Sequence, residues 1–188
     1  MKFKTIWADP PWRYRKKRTG GTWKSGAGQK YRTMTVRQIK ALPVDQIAAR
    51  DAHLILWTTV PLLKSAYEVM EAWGFEDKTI FFWVKLDPDL SGRLGLGHWF
   101  RGVVEPCIIG SRGEARAFHL QVPNILFMRP EGHSRKPAAF WDLIEPVTTG
   151  PKIELFSREP RNGWTCLGKE IDGRDIRRSL REIIECPA

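Results

Sequence analysis

Short apolar runs rich in strand-forming residues recur along this chain, and stretches with helical spacing separate them. "FKTIWA" (Phe3–Ala8), "HLILWTT" (His53–Thr59), "KTIFFWVK" (Lys78–Lys85), "VVEPCIIG", "NILFM" and "KIELFSR" read as strands. "PLLKSAYEVMEAWGF" carries Leu62, Leu63, Ala66, Val69, Met70 and Trp73 at helical spacing, with Gly74 where a C-cap is wanted. Thr35 and Gln38 have capping-box spacing before "VRQIKAL". "KPAAFWDLIEPV" starts with Pro137 in the position of an N1 proline, and "GRDIRRSLREII" reads as a closing helix. Strands alternating with helices predict an α/β fold with a mostly parallel sheet and helices on both faces. No repeat, low-complexity tract or linker interrupts the sequence, so one domain over residues 1–188 is expected.

The net charge of +10 is concentrated in one place. From Arg13 to Lys40 the chain has ten Lys or Arg and no Asp or Glu. The same segment holds Tyr14, Trp23 and Tyr31, and four glycines at 20, 21, 26 and 28. A basic, glycine-rich loop over about residues 13–34 with interleaved aromatics suits a polyanion with exposed bases. Its candidate contacts are Tyr14, Arg15, Lys16, Lys17 and Arg18. Cys107, Cys166 and Cys186 are far apart, and the four histidines have no paired spacing, so no metal is expected. His98 and His133 lie in candidate loops. The start of the sequence does not read as a secretory signal, and no run has the length of a membrane helix; a cytoplasmic protein with no membrane partner is expected.

"WADPPWRY" ends the first strand with an acid, two prolines and an indole. Proline has a fixed φ and no amide hydrogen, so two in a row stiffen the turn and leave carbonyls as acceptors. The Asp9 carboxylate and the Pro10 carbonyl, with Pro11 behind them and the plane of Trp12 beside them, suit an aromatic amine. Such an amine is a poor nucleophile because its lone pair is delocalised into the ring. Two acceptors on its hydrogens draw the nitrogen toward a tetrahedral shape, while Trp12 stacks on the ring. A sulfonium methyl donor opposite the nitrogen completes the chemistry without a metal. Adenine N6 and cytosine N4 both present such an amine. A different reading takes the Pro106–Cys107 pair as a thiolate nucleophile, although an apolar setting usually leaves a thiol inert.

Taken together, "ADPPW", "YRTMTVRQIKALPV", "HLILWTT", "EAWGF", "FFWVK", "GLGHWFRGVVEPCIIGSRG", "HSRKP", "IELFSR" and "GWTCLGKEIDG" resemble the METTL/IME-type adenine-N6 methyltransferases over roughly residues 3 to 173. The resemblance implies a Rossmann-like methyltransferase fold in permuted order, with the catalytic strand first. It implies S-adenosylmethionine as cofactor and adenine in nucleic acid as substrate, DNA favoured over RNA, single-stranded or flipped out of a duplex. Cytosine-N4 methylation and a catalytically silent nucleic-acid-binding subunit are the alternatives. Asp9, Pro10, Pro11 and Trp12 match the catalytic motif, and Glu105 an acid near the target base. Asp9, Lys136, Arg158, Lys169 and Glu170 match cofactor-binding positions, with Lys169 where the family often has Asn. The family's upstream contact to the cofactor's adenine has no counterpart before Met1, which leaves Asn124 or Ile171 for that role. A monomer or homodimer is expected, and a partner subunit remains open.

Overall fold

The protein is described by a computed structural model that covers residues 1–14, 33–95, 99–131 and 135–186. Seven strands form one sheet: β1 (Phe3–Ala8), β2 (Ala48–Trp57), β3 (Glu76–Lys85), β4 (Val104–Arg112), β5 (Ile125–Met128), β6 (Lys152–Leu155) and β7 (Trp164–Leu167). Their order is β5-β3-β4-β2-β1-β6-β7. The helices are α1 (Val36–Lys40), α2 (Val44–Ile47), α3 (Leu63–Ala72), α4 (Ala138–Ile144), α5 (Lys169–Asp172) and α6 (Ile176–Glu185). No helix among the described residues is long and apolar enough to cross a membrane.

The sheet is mixed and mostly parallel. β1 pairs in parallel with β2 and β6, β6 with β7, and β3 with β5, while β4 runs antiparallel to both β2 and β3. Every strand except β4 therefore points the same way.

Side chains alternate across the sheet, so each strand feeds two cores. Ile6 and Ala8 of β1 and Leu54 and Leu56 of β2 face a core that also holds Ile39, Val44, Ile47, Val69, Met70, Trp73, Ile176 and Leu180. Helices α1, α2, α3 and α6 cover that face. Trp7, Ile55 and Trp57 face the opposite core, where α4 brings Phe140, Trp141 and Ile144. Trp7 stacks on Trp141 there with ring centroids 3.4 Å apart and planes within 12°.

Local signals set the helix ends. Thr35 and Gln38 form the expected capping box. Gly74 has φ of 77°, the left-handed conformation that a side chain would strain. Pro137 is the N-cap of α4 rather than its first helical residue. β2 starts at Ala48, five residues before the apolar run of "HLILWTT": Ala48 pairs with Phe3, and an irregularity in the register separates that pair from the regular ladder that begins with Thr5 and His53. Three elements escape the apolar pattern, one of them the four-residue α2 after Pro43. β7 is four residues long between glycines at 163 and 168, and α5 is a single turn.

Candidate active site

Because six strands run one way, their carboxyl ends share an edge of the sheet, where ligands of open α/β folds bind. Asp9 leaves β1 at this edge, Thr58 leaves β2, Lys85 ends β3, Phe156 follows β6 and Gly168 follows β7. Glu105, near the start of β4, lies at the same edge because β4 runs the other way.

The turn after β1 is stapled on several sides. The Trp12 amide donates to the Pro10 carbonyl at 2.8 Å, and the Met34 amide to the Pro11 carbonyl at 2.8 Å. The Arg13 amide returns to the Met34 carbonyl at 2.9 Å. The Asp9 carboxylate, with its side chain 28% exposed, is thus held at a rigid corner. The Pro10 carbonyl uses one of its two lone pairs on the Trp12 amide.

Trp12 needs a correction. The sequence reading gives its indole an open face for stacking. The structure buries it to 6% exposure in the core, with its N–H donating to the Trp57 carbonyl at 3.0 Å. A large aromatic with a satisfied N–H is most stable there, so Trp12 anchors the turn. Tyr14, two residues on, keeps 44% of its surface exposed. Its hydroxyl lies beside Thr59 and in the field of Glu105, Lys136 and Asp9, and burial raises its pKa above the usual value.

Four charges alternate across the edge. Lys136 reaches Asp9 Oδ2 at 2.7 Å and Glu105 Oε2 at 3.3 Å, and Lys85 pairs with Glu105 Oε1. The Lys136 ammonium also lies 5.2 Å from the Trp57 ring centroid. Burial works against charge on Lys136, yet Asp9 and Glu105 outweigh it and raise its pKa. Burial likewise opposes charge on Glu105, and the two lysines hold its carboxyl below the usual range. Cys107 is fully buried, and burial pushes its thiol well above its ordinary value, so the thiolate nucleophile is ruled out.

Sequence reasoning missed a second pair. Glu154 in β6 stands next to Trp7 in the ladder, and Arg161 lies 3.8 Å from it. The Arg161 guanidinium stacks 3.7 Å from the centre of the Trp141 ring. Glu154 Oε2 and Arg161 Nε are buried without a hydrogen-bond partner among the described residues. Buried polar atoms seldom stay unsatisfied without a reason. The only sequence signal is an acid near the carboxyl end of an otherwise apolar strand. Nearby, Phe156 has φ of 65°, a strained conformation for a bulky residue and one that gathers at functional sites. The backbone of Gly168 packs so closely on Ser157 that a Cβ would fall 2.0 Å from its carbonyl oxygen.

Burial raises the Glu154 carboxyl from its ordinary 4.5 to about 7, against the pull of Arg161. Folded protein then holds a proton that the unfolded chain has already lost. The stability this contributes is full below pH 4.5 and is lost as pH rises to about 7. Glu154→Gln is expected to remove that loss, so the gap in unfolding midpoint between variant and wild type widens across this window. Parallel curves would contradict the assignment.

The remaining expected residues are dispersed along the same edge. Arg158 is half-buried in the turn after β6, and Lys169 and Glu170 are exposed in the first turn of α5. Asn124 is not at the site. It precedes β5 at the opposite end of its strand, and its amide donates to the Ile80 carbonyl at 2.8 Å. Ile171 in α5 keeps its place at the β7 end. Arg15, Lys16, Lys17 and Arg18, with His98 and His133, lie outside the described residues. No group of three His, Cys, Asp or Glu among the described residues could hold a metal.

S-adenosylmethionine presents a carboxylate, an ammonium, two ribose hydroxyls and a base. The edge offers Lys136 and Arg161 for the carboxylate, Asp9 for the ammonium, and Glu154, Arg158, Lys169 and Glu170 toward the ribose. The unsatisfied Glu154 and Arg161 atoms are the observation that this donor set fits a polar ligand.

The MT-A70 family model matches residues 3–170. The chain is 33% identical over 201 residues to the type II methyltransferase M.MunI of Mycoplasma sp, covering 93% of this chain and 80% of that protein. It is 29% identical over 181 residues to the human N(6)-adenosine-methyltransferase catalytic subunit METTL3, covering 92% of this chain. The chain spans 29% of the length of that human relative.

Proposed function

Since the chain belongs to the MT-A70 family, we propose that it transfers a methyl group from S-adenosylmethionine to N6 of adenine in nucleic acid. The observation that carries this reading is the stapled Asp-Pro-Pro turn, which presents a carboxylate and a carbonyl at the carboxyl edge of the sheet. The bound cofactor supplies a methyl on a positively charged sulfur that is already a leaving group. Asp9 accepts one N6 hydrogen and takes the proton after transfer. Pro10 accepts the second hydrogen on its remaining lone pair. With Trp12 in the core, the half-exposed Tyr14 is the ring beside the base. Lys136 and Arg161 hold the cofactor's carboxylate, and Glu154, Arg158, Lys169 and Glu170 hold its ribose side.

The fold is read as a Rossmann-like methyltransferase in permuted order. In support, β1 is central, β2, β4, β3 and β5 extend the sheet on one side, and the chain returns to add β6 and β7 on the other. DNA is favoured over RNA as the polymer, since the chain matches the type II methyltransferase over 80% of that protein's length. An adenine in a duplex must be flipped out, at a cost of a few kcal/mol.

Methyl transfer to single-stranded DNA, duplex DNA and RNA in parallel tests the reading and the choice of polymer. The basic loop has its own test. Replacing Arg15, Lys16, Lys17 and Arg18 together with Ala should lower the slope of log binding constant against log salt by about 2 to 4. An unchanged slope would remove the loop from the phosphate contacts.

A further inference from the structure

One pair of aromatic side chains lies outside every core. Trp99 is 95% exposed and Phe100 91%, whereas every other tryptophan among the described residues is 8% exposed or less. Scattered apolar residues on a surface are ordinary, but two adjacent rings held in water mark a contact surface. Their position is built. The segment between β3 and β4 continues the pairing of these strands past their ends: the Lys85 amide donates to the Val103 carbonyl at 2.8 Å, and the Gly95 amide to the Gly102 carbonyl at 2.7 Å. A Cβ on Gly95 would fall 2.7 Å from that same oxygen, so the close approach requires glycine. This extension grows from the carboxyl edge of the sheet, and Lys85 at its base pairs with Glu105. Two cations accompany the rings. The Arg101 guanidinium donates to the Gly95 carbonyl, and that of Arg129, just after β5, to the Pro88 carbonyl. Neither pairs with a carboxylate at salt-bridge distance among the described residues; Asp87 of the same segment faces Arg93 at 4.0 Å instead.

We propose that Trp99 and Phe100 stack on the unpaired bases next to the target adenine, with Arg101 and Arg129 on their phosphates. The inference rests on the methyltransferase reading above. Each nucleotide of an unpaired strand offers one flat ring and one phosphate, which are the two groups this tip can hold. Arginine suits the second because its planar fork meets phosphate with two parallel N–H donors. Tyr14 is left to the target ring, and the tip takes its neighbours. Stacking reads the presence of a ring and not its identity, so the platform favours unpaired flanks of any sequence.

Fluorescence anisotropy on the full chain tests this with labelled single strands of about 11 nucleotides that carry one central adenine. In two further strands the nucleotides on its 5′ side or on its 3′ side are abasic, which keeps the phosphates and removes the rings. Wild type is expected to bind the intact strand at least about tenfold more tightly than one of the abasic strands. Trp99→Ala with Phe100→Ala should weaken the intact strand by the same factor and bind all three strands alike, while Trp99→Tyr with Phe100→Tyr keeps the preference. Both rings lie outside the core, so these variants should unfold at the wild-type midpoint. Arg101→Gln should lower the slope of log binding constant against log salt by about 0.7. No abasic penalty in wild type, or a penalty that survives in the double alanine variant, would overturn the proposal. So would a double alanine variant that binds every strand like wild type but sediments as a smaller species, because the tip would then be a subunit interface. Methyl transfer to the central adenine separates this failure from that of the functional reading. Transfer and binding indifferent to abasic flanks sink the platform alone, and no transfer to any strand sinks the methyltransferase reading.

Discussion

Asp9→Ala is expected to lower methyl transfer by at least about 10³-fold while S-adenosylhomocysteine still binds. In the proposed reaction Asp9 does two things: it polarises the amine and it takes the proton. Preorganised electrostatic contacts are worth about 10²–10³ in rate, and positioned proton acceptors about 10²–10⁴. The proposal gives the cofactor other holds along the edge at Lys136, Arg161, Glu154 and Arg158, so its affinity should change far less than the rate. Calorimetry with S-adenosylhomocysteine beside a labelled transfer assay separates the two. Equal loss of both would make Asp9 a builder of the cofactor pocket rather than the acceptor for N6.

Lys136→Met is expected to cost about 2–3 kcal/mol of stability and to weaken S-adenosylhomocysteine by at least about tenfold. Removing one partner of a buried ion pair costs about 3–5 kcal/mol because the other charge is left behind. Here Asp9 and Glu105 would both lose a cation, but their side chains are 28% and 21% exposed, and water relieves part of the penalty. For a chain of this size the midpoint of thermal unfolding should fall by about 4–10 °C. The loss of affinity follows from removing a cation that would face the cofactor's carboxylate. A variant as stable as wild type would mean that the ion pairs at this edge contribute little.

Much of the architecture could be read from the sequence because local chemistry and tertiary structure agree. The apolar runs around Ile6, Leu54, Phe81 and Ile108 become strands since both faces of the sheet are covered by helices. The Thr35–Gln38 box and Gly74 act within a few residues, so their meaning does not depend on the rest of the chain. Strand direction is a different matter. Nothing in "VVEPCIIG" says that it runs against its neighbours, because direction is set by the length of the connections and by what they can reach. β7 is too short, and too closely bounded by glycines, to rise above a turn.

The site divides in the same way. The chemistry of Asp9 and Pro10 is written in residue types, and the fixed φ of proline makes their local geometry readable too. Trp12 shows the limit. Its aromatic character is plain in the sequence, but the side its ring takes is decided by the Trp57 carbonyl and the core beneath. Glu154 looks like the polar half of an alternating strand. Only the fold brings Arg161 across the Trp141 ring to meet it.

The central claim is methylation of adenine N6, and one measurement tests it most directly. The full chain is incubated with methyl-labelled S-adenosylmethionine and single-stranded DNA, duplex DNA or RNA, and the polymer is then digested to nucleosides. Label is expected in N6-methyladenine, in at least one polymer, and is expected to disappear in Asp9→Ala. Label in N4-methylcytosine, or nucleic acid bound with no label transferred to it, would contradict it.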